Sequence, residues 1–299
     1  DNGWDIYYYD YRERNDHNKI KDEILSINPN IVFVNKAERV CPSLVTQLRK
    51  DGYKGIFVYW HMDQRRNPPS NVIKWSRVCD WVFHCKGGWK LEEYHKITST
   101  PTSFLFSPFS SLYTQPKPFG QRKYFLTWYG QLYNPKQGFD SLRRKFVPLI
   151  REYLDDYGAC FDRGFIRGTD YYSRLGNSML SLSIPAIDMP MYFSNRHSHI
   201  MGSGTIPLSY TFEDYDKMFE DGVNIITFKD EKELLEKIEY YLNNKEVLIQ
   251  IHKNVQQFAD RYMSANNVYR EIVTVLSTGE STYPFSQVIN PKHTQFRIE

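Results

Sequence analysis

Short apolar runs alternate with amphipathic stretches along most of the chain. Nearly continuous β-branched or aromatic runs occur at Ile6–Tyr11, Ile31–Val34, Ile56–Trp60, Trp81–His84 and Ser103–Phe106. Helical patterns lie between them at Asn18–Ile27, Pro42–Lys50, Ser70–Ser76 and Trp89–His95. Runs without in–out alternation belong to strands covered on both faces. Their alternation with helices predicts βα units and a parallel, doubly wound sheet. The stretch Ser107 to Arg122 breaks this rhythm with Pro108, Pro116, Pro118 and Gly120, and is expected to be an interdomain linker.

A second series follows. Strands are predicted at Tyr124–Trp128, Ala159–Phe161, Met179–Ser183, Thr205–Leu208 and Asn224–Phe228. Helices are predicted at Phe139–Tyr157, Tyr171–Leu175, Asn195–Ser203, Glu231–Leu242, Val247–Tyr262 and Asn266–Leu276. In Glu231–Leu242 one face collects Leu234, Leu235, Ile238, Tyr241 and Leu242, while Asp230 and Glu233 fit a capping box with Asp in place of Ser or Thr. The tail from Ser277 contains Pro284 and Pro291 and has no period. The expected division is an α/β domain over 1–118, a second over 119–276, and a tail over 277–299 that crosses back to the first.

With 299 residues there is room for two ordinary domains, and 23 Tyr with 19 Phe supply a sizeable core. A net charge of +3 neither demands nor excludes a nucleic-acid partner. Cys41, Cys79, Cys85 and Cys160 have neither metal nor disulfide-framework spacing, which favours a reducing compartment and a cytoplasmic location. No apolar run approaches membrane-spanning length and no signal-peptide pattern is present.

The richest stretch begins at Ser194-Asn195-Arg196-His197-Ser198-His199-Ile200-Met201-Gly202-Ser203-Gly204. Asn195 is the expected N-cap and Arg196 falls in the first turn. A helix start offers unpaired N–H groups and a positive dipole end, and an Arg there adds a bidentate donor, so the pattern suits a phosphate. Phe219-Glu220-Asp221-Gly222 and a short strand follow, then the helix opened by Asp230.

This order resembles the C-terminal half of group 1 glycosyltransferases of the GT-B fold, close to the CgeB-like (spore maturation) family. Their pattern runs R-x-F-E-A-x-A-C-G, strand, E-L-F-x-D-G, strand, D-x-x-E-L. Arg196, Gly204, Met218-Phe219, Asp221-Gly222, Asp230 and Glu233-Leu234 match it. The family's ribose-holding Glu is His199 here, and the earlier acidic partner falls on Met191. The resemblance implies two facing Rossmann-like domains with a cleft between them. It also implies a nucleoside-diphosphate sugar as donor and a metal-independent reaction with no cofactor. In that fold a strand and a helix normally precede the position where this chain starts, so a first βα unit is expected to be missing.

On that reading Asn195 and Arg196 hold the donor diphosphate and His199 touches ribose or phosphate. Tyr129-Gly130 ends the second domain's first strand, where a glycine lets backbone approach the phosphates. The loop Cys160–Gly168 frames the nucleotide base, or Arg163 and Arg167 instead meet phosphate; Arg174, a further donor-binding candidate, lies in the segment ahead of the next strand, where Asn177 or Ser178 lines the cleft. In the first domain Tyr59-Trp60-His61-Met62-Asp63 follows a buried strand, with Asp63 as candidate general base and His61 its rival. Gly87-Gly88 allows close backbone approach to acceptor or phosphate. No His or Cys set has zinc-site spacing, so no metal is expected.

The reading is therefore a hexosyl- or pentosyltransferase, with a glycan, protein or small-molecule acceptor. The group 1 resemblance implies retention, whereas a base at Asp63 leaves inversion open. Two rivals stand beside it. One is transfer to modified DNA bases, with Lys136, Arg143, Arg144 and Lys145 as candidate contacts. The other is a non-catalytic sugar-nucleotide or glycan-binding module. A nicotinamide dehydrogenase is disfavoured, because no G-x-G-x-x-G follows a strand.

Overall fold

The computed structural model describes residues 5–11, 16–36, 39–63, 67–114, 116–130, 132, 141–158, 166, 168–185, 189–192 and 194–298. Its first sheet holds the parallel strands β1 (Ile31–Asn35), β2 (Ile56–His61), β3 (Trp81–His84) and β4 (Thr102–Phe104) in that order. The helices α1 (His17–Ile27), α2 (Ser43–Lys50), α3 (Ser70–Val78) and α4 (Gly88–Thr98) precede or connect these strands. Side chains alternate along each strand, so β2 feeds two cores. Phe57 and Tyr59 pack with Leu44, Leu48 and Trp75, whereas Ile56, Val58 and Trp60 pack on the opposite face. This two-sided burial explains why the sequence runs are continuously apolar.

The second sheet is built from β5 (Tyr124–Tyr129), β6 (Asp156–Gly158), β7 (Ser178–Ser183), β8 (Ile206–Tyr210) and β9 (Ile226–Phe228). All its pairings are parallel, in the order β6-β5-β7-β8-β9. The order reverses between β5 and β7, which makes their carboxyl ends a topological switch point, the place where such sheets open a ligand crevice. Helices α5 (Ser141–Leu149), α6 (Gly168–Gly176), α7 (Asn195–Gly202), α8 (Glu231–Asn243) and α9 (Lys245–Met263) belong to this half.

The chain then returns to its beginning. Helix α10 (Ala265–Thr278) sets Val268, Ile272, Val275 and Leu276 against Val58, Trp60, Trp81 and Phe83 of the first sheet. Strand β10 (Val288–Ile289) pairs antiparallel with β4 and closes that sheet's edge. Aromatic rings fill the joint, where Phe106 meets Phe219, Phe258, Tyr283 and Phe285 at centroid distances of 5.2 to 6.3 Å.

Three local expectations differ from the structure. The run at Ile6–Tyr11 forms no strand, and Ile6 and Tyr8 are exposed. Among the described residues no segment pairs with the outer side of β1, and a β-prone run becomes a strand only beside a partner. The helix expected over Phe139–Tyr157 stops at Leu149, after Pro148, and a 3-10 turn at Arg151–Tyr153 leads into β6. Proline lacks the amide that a continuing helix needs. That strand starts before the expected Ala159–Phe161, whose residues lie outside the described ones.

Candidate functional site

Arg196 stands at the switch point. It is the second residue of α7, and its Nη1 donates to the Ile184 carbonyl just past β7, at 3.2 Å. Gly130 follows β5 directly, and a Cβ there would lie 3.0 Å from Arg196 Nη2 and 3.0 Å from the Trp128 ring. The guanidinium thus bridges the two carboxyl ends that define the crevice. Arg143 of α5 donates from Nε to the same Ile184 carbonyl at 3.3 Å. Among the described residues no carboxylate pairs with Arg196. The His197 amide is already taken by the Ser194 carbonyl at 2.9 Å, which leaves the Asn195 and Arg196 amides as the α7 donors at the same end. Exchange of Gly130 for Ala is expected to push the guanidinium aside and weaken the binding of a nucleoside diphosphate about tenfold, at a stability cost of about 1 kcal/mol from crowding the buried Trp128 ring. Titration calorimetry of the Gly130→Ala protein checks this.

The helix cap differs from expectation. Ser194, in extended conformation, is the N-cap residue, and Asn195 is already helical. Asn195 Oδ1 instead accepts from Ser107 Oγ at 2.5 Å, and Ser198 Oγ donates to the Ser107 carbonyl at 2.5 Å. Both side chains of α7 therefore clamp the linker. The Ser107 hydroxyl competes successfully for an oxygen that would otherwise cap the helix.

His199 lies one turn on, its ring edge-to-face with Tyr171 at 5.7 Å and Tyr172 at 5.1 Å. Burial, reinforced by the Arg196 charge, lowers its pKa to about 4, so the ring is neutral at physiological pH. Tyr129 is buried, and its hydroxyl donates to Asp156 Oδ2 at 3.0 Å. Arg174 pairs with the same carboxylate, which occupies its charge. Asn177 sits just before β7, at the amino ends of β5 and β7, where its Oδ1 accepts from the Lys123 amide at 2.9 Å. That is the opposite end of the sheet from the crevice, so the expectation that Asn177 lines the cleft is corrected. Arg163 and Arg167 lie outside the described residues.

In the first domain His61 and Asp63 come together at the end of β2, in a pocket of about 320 Å³ lined also by Lys36, Tyr59, Asn67 and Asn71. Asp63 is half-exposed and forms an ion pair with Lys36 at 3.2 Å. Arg65 and Arg66, which follow in the sequence, lie outside the described residues. His61 is nearly buried, and its Nδ1 lies 3.3 Å from Lys86 Nζ. Lys86 is the residue the sequence reading passed over. Its signal was available, because it follows a fully buried strand and precedes two glycines.

Those glycines serve the domain joint rather than a ligand. A Cβ on Gly87 would lie 2.6 Å from Met191 Sδ, and one on Gly88 would lie 2.8 Å from Pro190 Cβ. The Gly87 amide donates to the Pro190 carbonyl at 3.2 Å, and Trp89 Nε1 donates to both carboxylate oxygens of Glu213 at 3.0 and 3.1 Å. The crevices consequently face each other. Between them Tyr192 is a buried phenol whose pKa is raised by burial and by Cys85 and Asp63 from one domain, and lowered in part by Arg196 and Arg143 from the other.

Residues 139–274 match a family model described as glycosyl transferase-like. No curated protein matches the chain. Among solved structures it is similar to Alr3699/HepE of Anabaena in complex with UDP-glucose, with a TM-score of 0.57, 12% identity and coverage of 87% of this chain and 81% of that one. A glycosyltransferase of Rickettsia africae gives 0.57 and 11% over 91% and 82%. An α-glucosyltransferase in complex with UDP-glucose and DNA containing an abasic site gives 0.57 and 14% over 86% and 82%. The fold is GT-B, with two facing Rossmann-like α/β domains and a cleft between them. The matches carry this broader likeness and the glycosyl transferase-like domain, not the narrower one to CgeB-like proteins. No helix among the described residues is long and apolar enough to cross a membrane.

Proposed function

We propose that this chain transfers a sugar from a nucleoside-diphosphate sugar to an acceptor hydroxyl, with the diphosphate held by protein donors rather than by a metal. The observation that carries this is Arg196 at the switch point, bonded to the Ile184 carbonyl, packed against Gly130 and unpaired with any described carboxylate. Its guanidinium and the α7 amides meet the charge that grows on a leaving diphosphate. Across the cleft the pocket with His61 and Asp63 offers the acceptor its place. In the reaction the acceptor oxygen bonds the anomeric carbon, and the bond to the diphosphate breaks with its electron pair leaving on the diphosphate. The hydroxyl proton passes to a base.

UDP-sugars are the first donors to test, since the Anabaena structure and the α-glucosyltransferase structure both hold UDP-glucose. The test is thermal stabilisation by UDP, GDP, dTDP and CMP, each with its sugar nucleotide, followed by turnover assays. Stabilisation by one nucleotide and release of that nucleotide with an acceptor supports the proposal. Stabilisation without turnover points to the binding module, and no response to any nucleotide overturns both. Of the basic residues behind the DNA-base reading, Lys136 lies outside the described residues and Arg144 is exposed, while the other two are engaged within the fold. Arg143 turns inward to Ile184, and Lys145 pairs with Glu231 at 3.1 Å.

A further inference from the structure

Lys86 has no surface exposure, and its Nζ lies 3.3 Å from His61 Nδ1 and 4.2 Å from the centre of the Tyr94 ring. Among the described residues no carboxylate comes within ion-pair distance of it, whereas its helix neighbour Lys90 reaches Glu93. His61 in turn lines the pocket that contains Asp63. An ammonium group carries donors and no acceptor. Opposite Lys86, the His61 Nδ1 must therefore be the acceptor. A doubly protonated ring would have no acceptor and would set two cations 3.3 Å apart. With its Nδ1 lone pair engaged, a neutral imidazole carries its proton on Nε2.

We propose that Lys86 is a positioning residue that locks His61 in the Nε2–H tautomer, so that His61 offers the pocket's occupant no proton-accepting nitrogen and Asp63 is left as the proton acceptor. The assignment of roles rests on the transferase reading, in which that occupant is the acceptor hydroxyl; the tautomer lock itself does not. A histidine fixed this way cannot deprotonate a hydroxyl, which separates the two candidate bases.

The lock responds to pH. Burial lowers the Lys86 pKa to about 7; Lys90 pushes the same way, and Cys85, Glu93 and Asp63 oppose it. The other groups packed around it contribute no charge near neutrality. His84 on β3 is held neutral by burial and by Lys86 itself, and burial raises the Tyr94 phenol on α4 out of reach. Once Lys86 loses its proton its amine gains a lone pair, and the other tautomer of His61 becomes accessible.

Long-range proton–nitrogen spectra of the histidine rings test this on the full chain between pH 6 and 9, with His61→Gln used to assign the signal. At pH 6 the wild type is expected to show the Nε2–H pattern for His61, with the second tautomer growing above pH ~7. In Lys86→Met the pure Nε2–H pattern is expected to be lost already at pH 6, with the Nδ1–H tautomer or the doubly protonated ring appearing. An Nδ1–H pattern in the wild type at pH 6 overturns the proposal, even if the variant fails to fold, and so does a Lys86→Met spectrum matching the wild type. Turnover gives a second arm. Asp63→Asn is expected to lower kcat by about 10²–10³-fold, and His61→Gln, which keeps a donor, by about tenfold or less. The reverse ranking overturns the role of Asp63. A chain that turns over no sugar nucleotide fails the transferase reading instead, and the spectra still decide the lock.

Discussion

Replacing Arg196 with Ala is expected to abolish the thermal shift given by the cognate nucleotide and to lower kcat/KM by about 10²–10³-fold. The magnitude follows from the chemistry of the contact. A guanidinium on a diphosphate forms paired, charge-assisted hydrogen bonds in a crevice that excludes much of the water, and such bonds strengthen as the leaving group gains charge. The fold itself should barely notice. Arg196 makes one hydrogen bond to the Ile184 carbonyl from a half-buried position, and Ala is a good residue for the first turn of a helix. The unliganded melting temperature is therefore expected to stay within about 2 °C of the wild type. Arg196→Lys should recover part of the binding, because it restores the charge but not the fork. An Arg196→Ala protein that still responds to the nucleotide like the wild type would remove the donor site from this crevice.

The elements that build this crevice were legible in the sequence because both sheets are buried on both faces. β2 could be read as a nearly continuous apolar run, β7 from its Met179, Leu180 and Leu182 between serines, and the Asn195-Arg196 start of α7 as a charged helix entry. The pairing of β5 with β7, which puts Gly130 beside Arg196, is a fact of topology that no local pattern states. Sequence proximity to a strand also misled where the direction of the chain mattered. Asn177 touches β7 but at its amino end, whereas ligands gather at the carboxyl ends. Asn195 has the composition of a cap, yet a serine nearly ninety positions earlier claims its oxygen. Gly87 and Gly88 signalled close approach correctly, but what approaches are the Pro190 and Met191 side chains of the other domain. The interaction of Lys86 with His61 is of the same kind. It depends on β2 and β3 lying side by side, with His61 opposite His84 in the register.

That buried lysine leads to a stability effect of unusual sign. Lys86→Met is expected to make the protein more stable at pH 6, not less. A folded-state pKa of about 7 against an ordinary 10.5 means that keeping the ammonium inside costs roughly 5 kcal/mol. Met fills a similar volume without charge, and the loss of the His61 hydrogen bond and of the contact with the Tyr94 ring returns about 2–3 kcal/mol of that gain. The net stabilisation is about 2–3 kcal/mol, or a rise of about 5 °C in the melting temperature. Because the folded value is the lower one, the native protein releases this proton before the unfolded chain does. The wild type then gains stability as pH rises from about 7 towards 10, a gain the variant lacks. The advantage of Lys86→Met should accordingly be largest at pH 6 and fade towards pH 10, as read from melting curves at several pH values. A packing role for Lys86 predicts the opposite, a variant less stable at every pH. If the variant is more stable and yet loses control of the His61 tautomer, then the lysine is kept at the expense of the fold for what it does to the pocket.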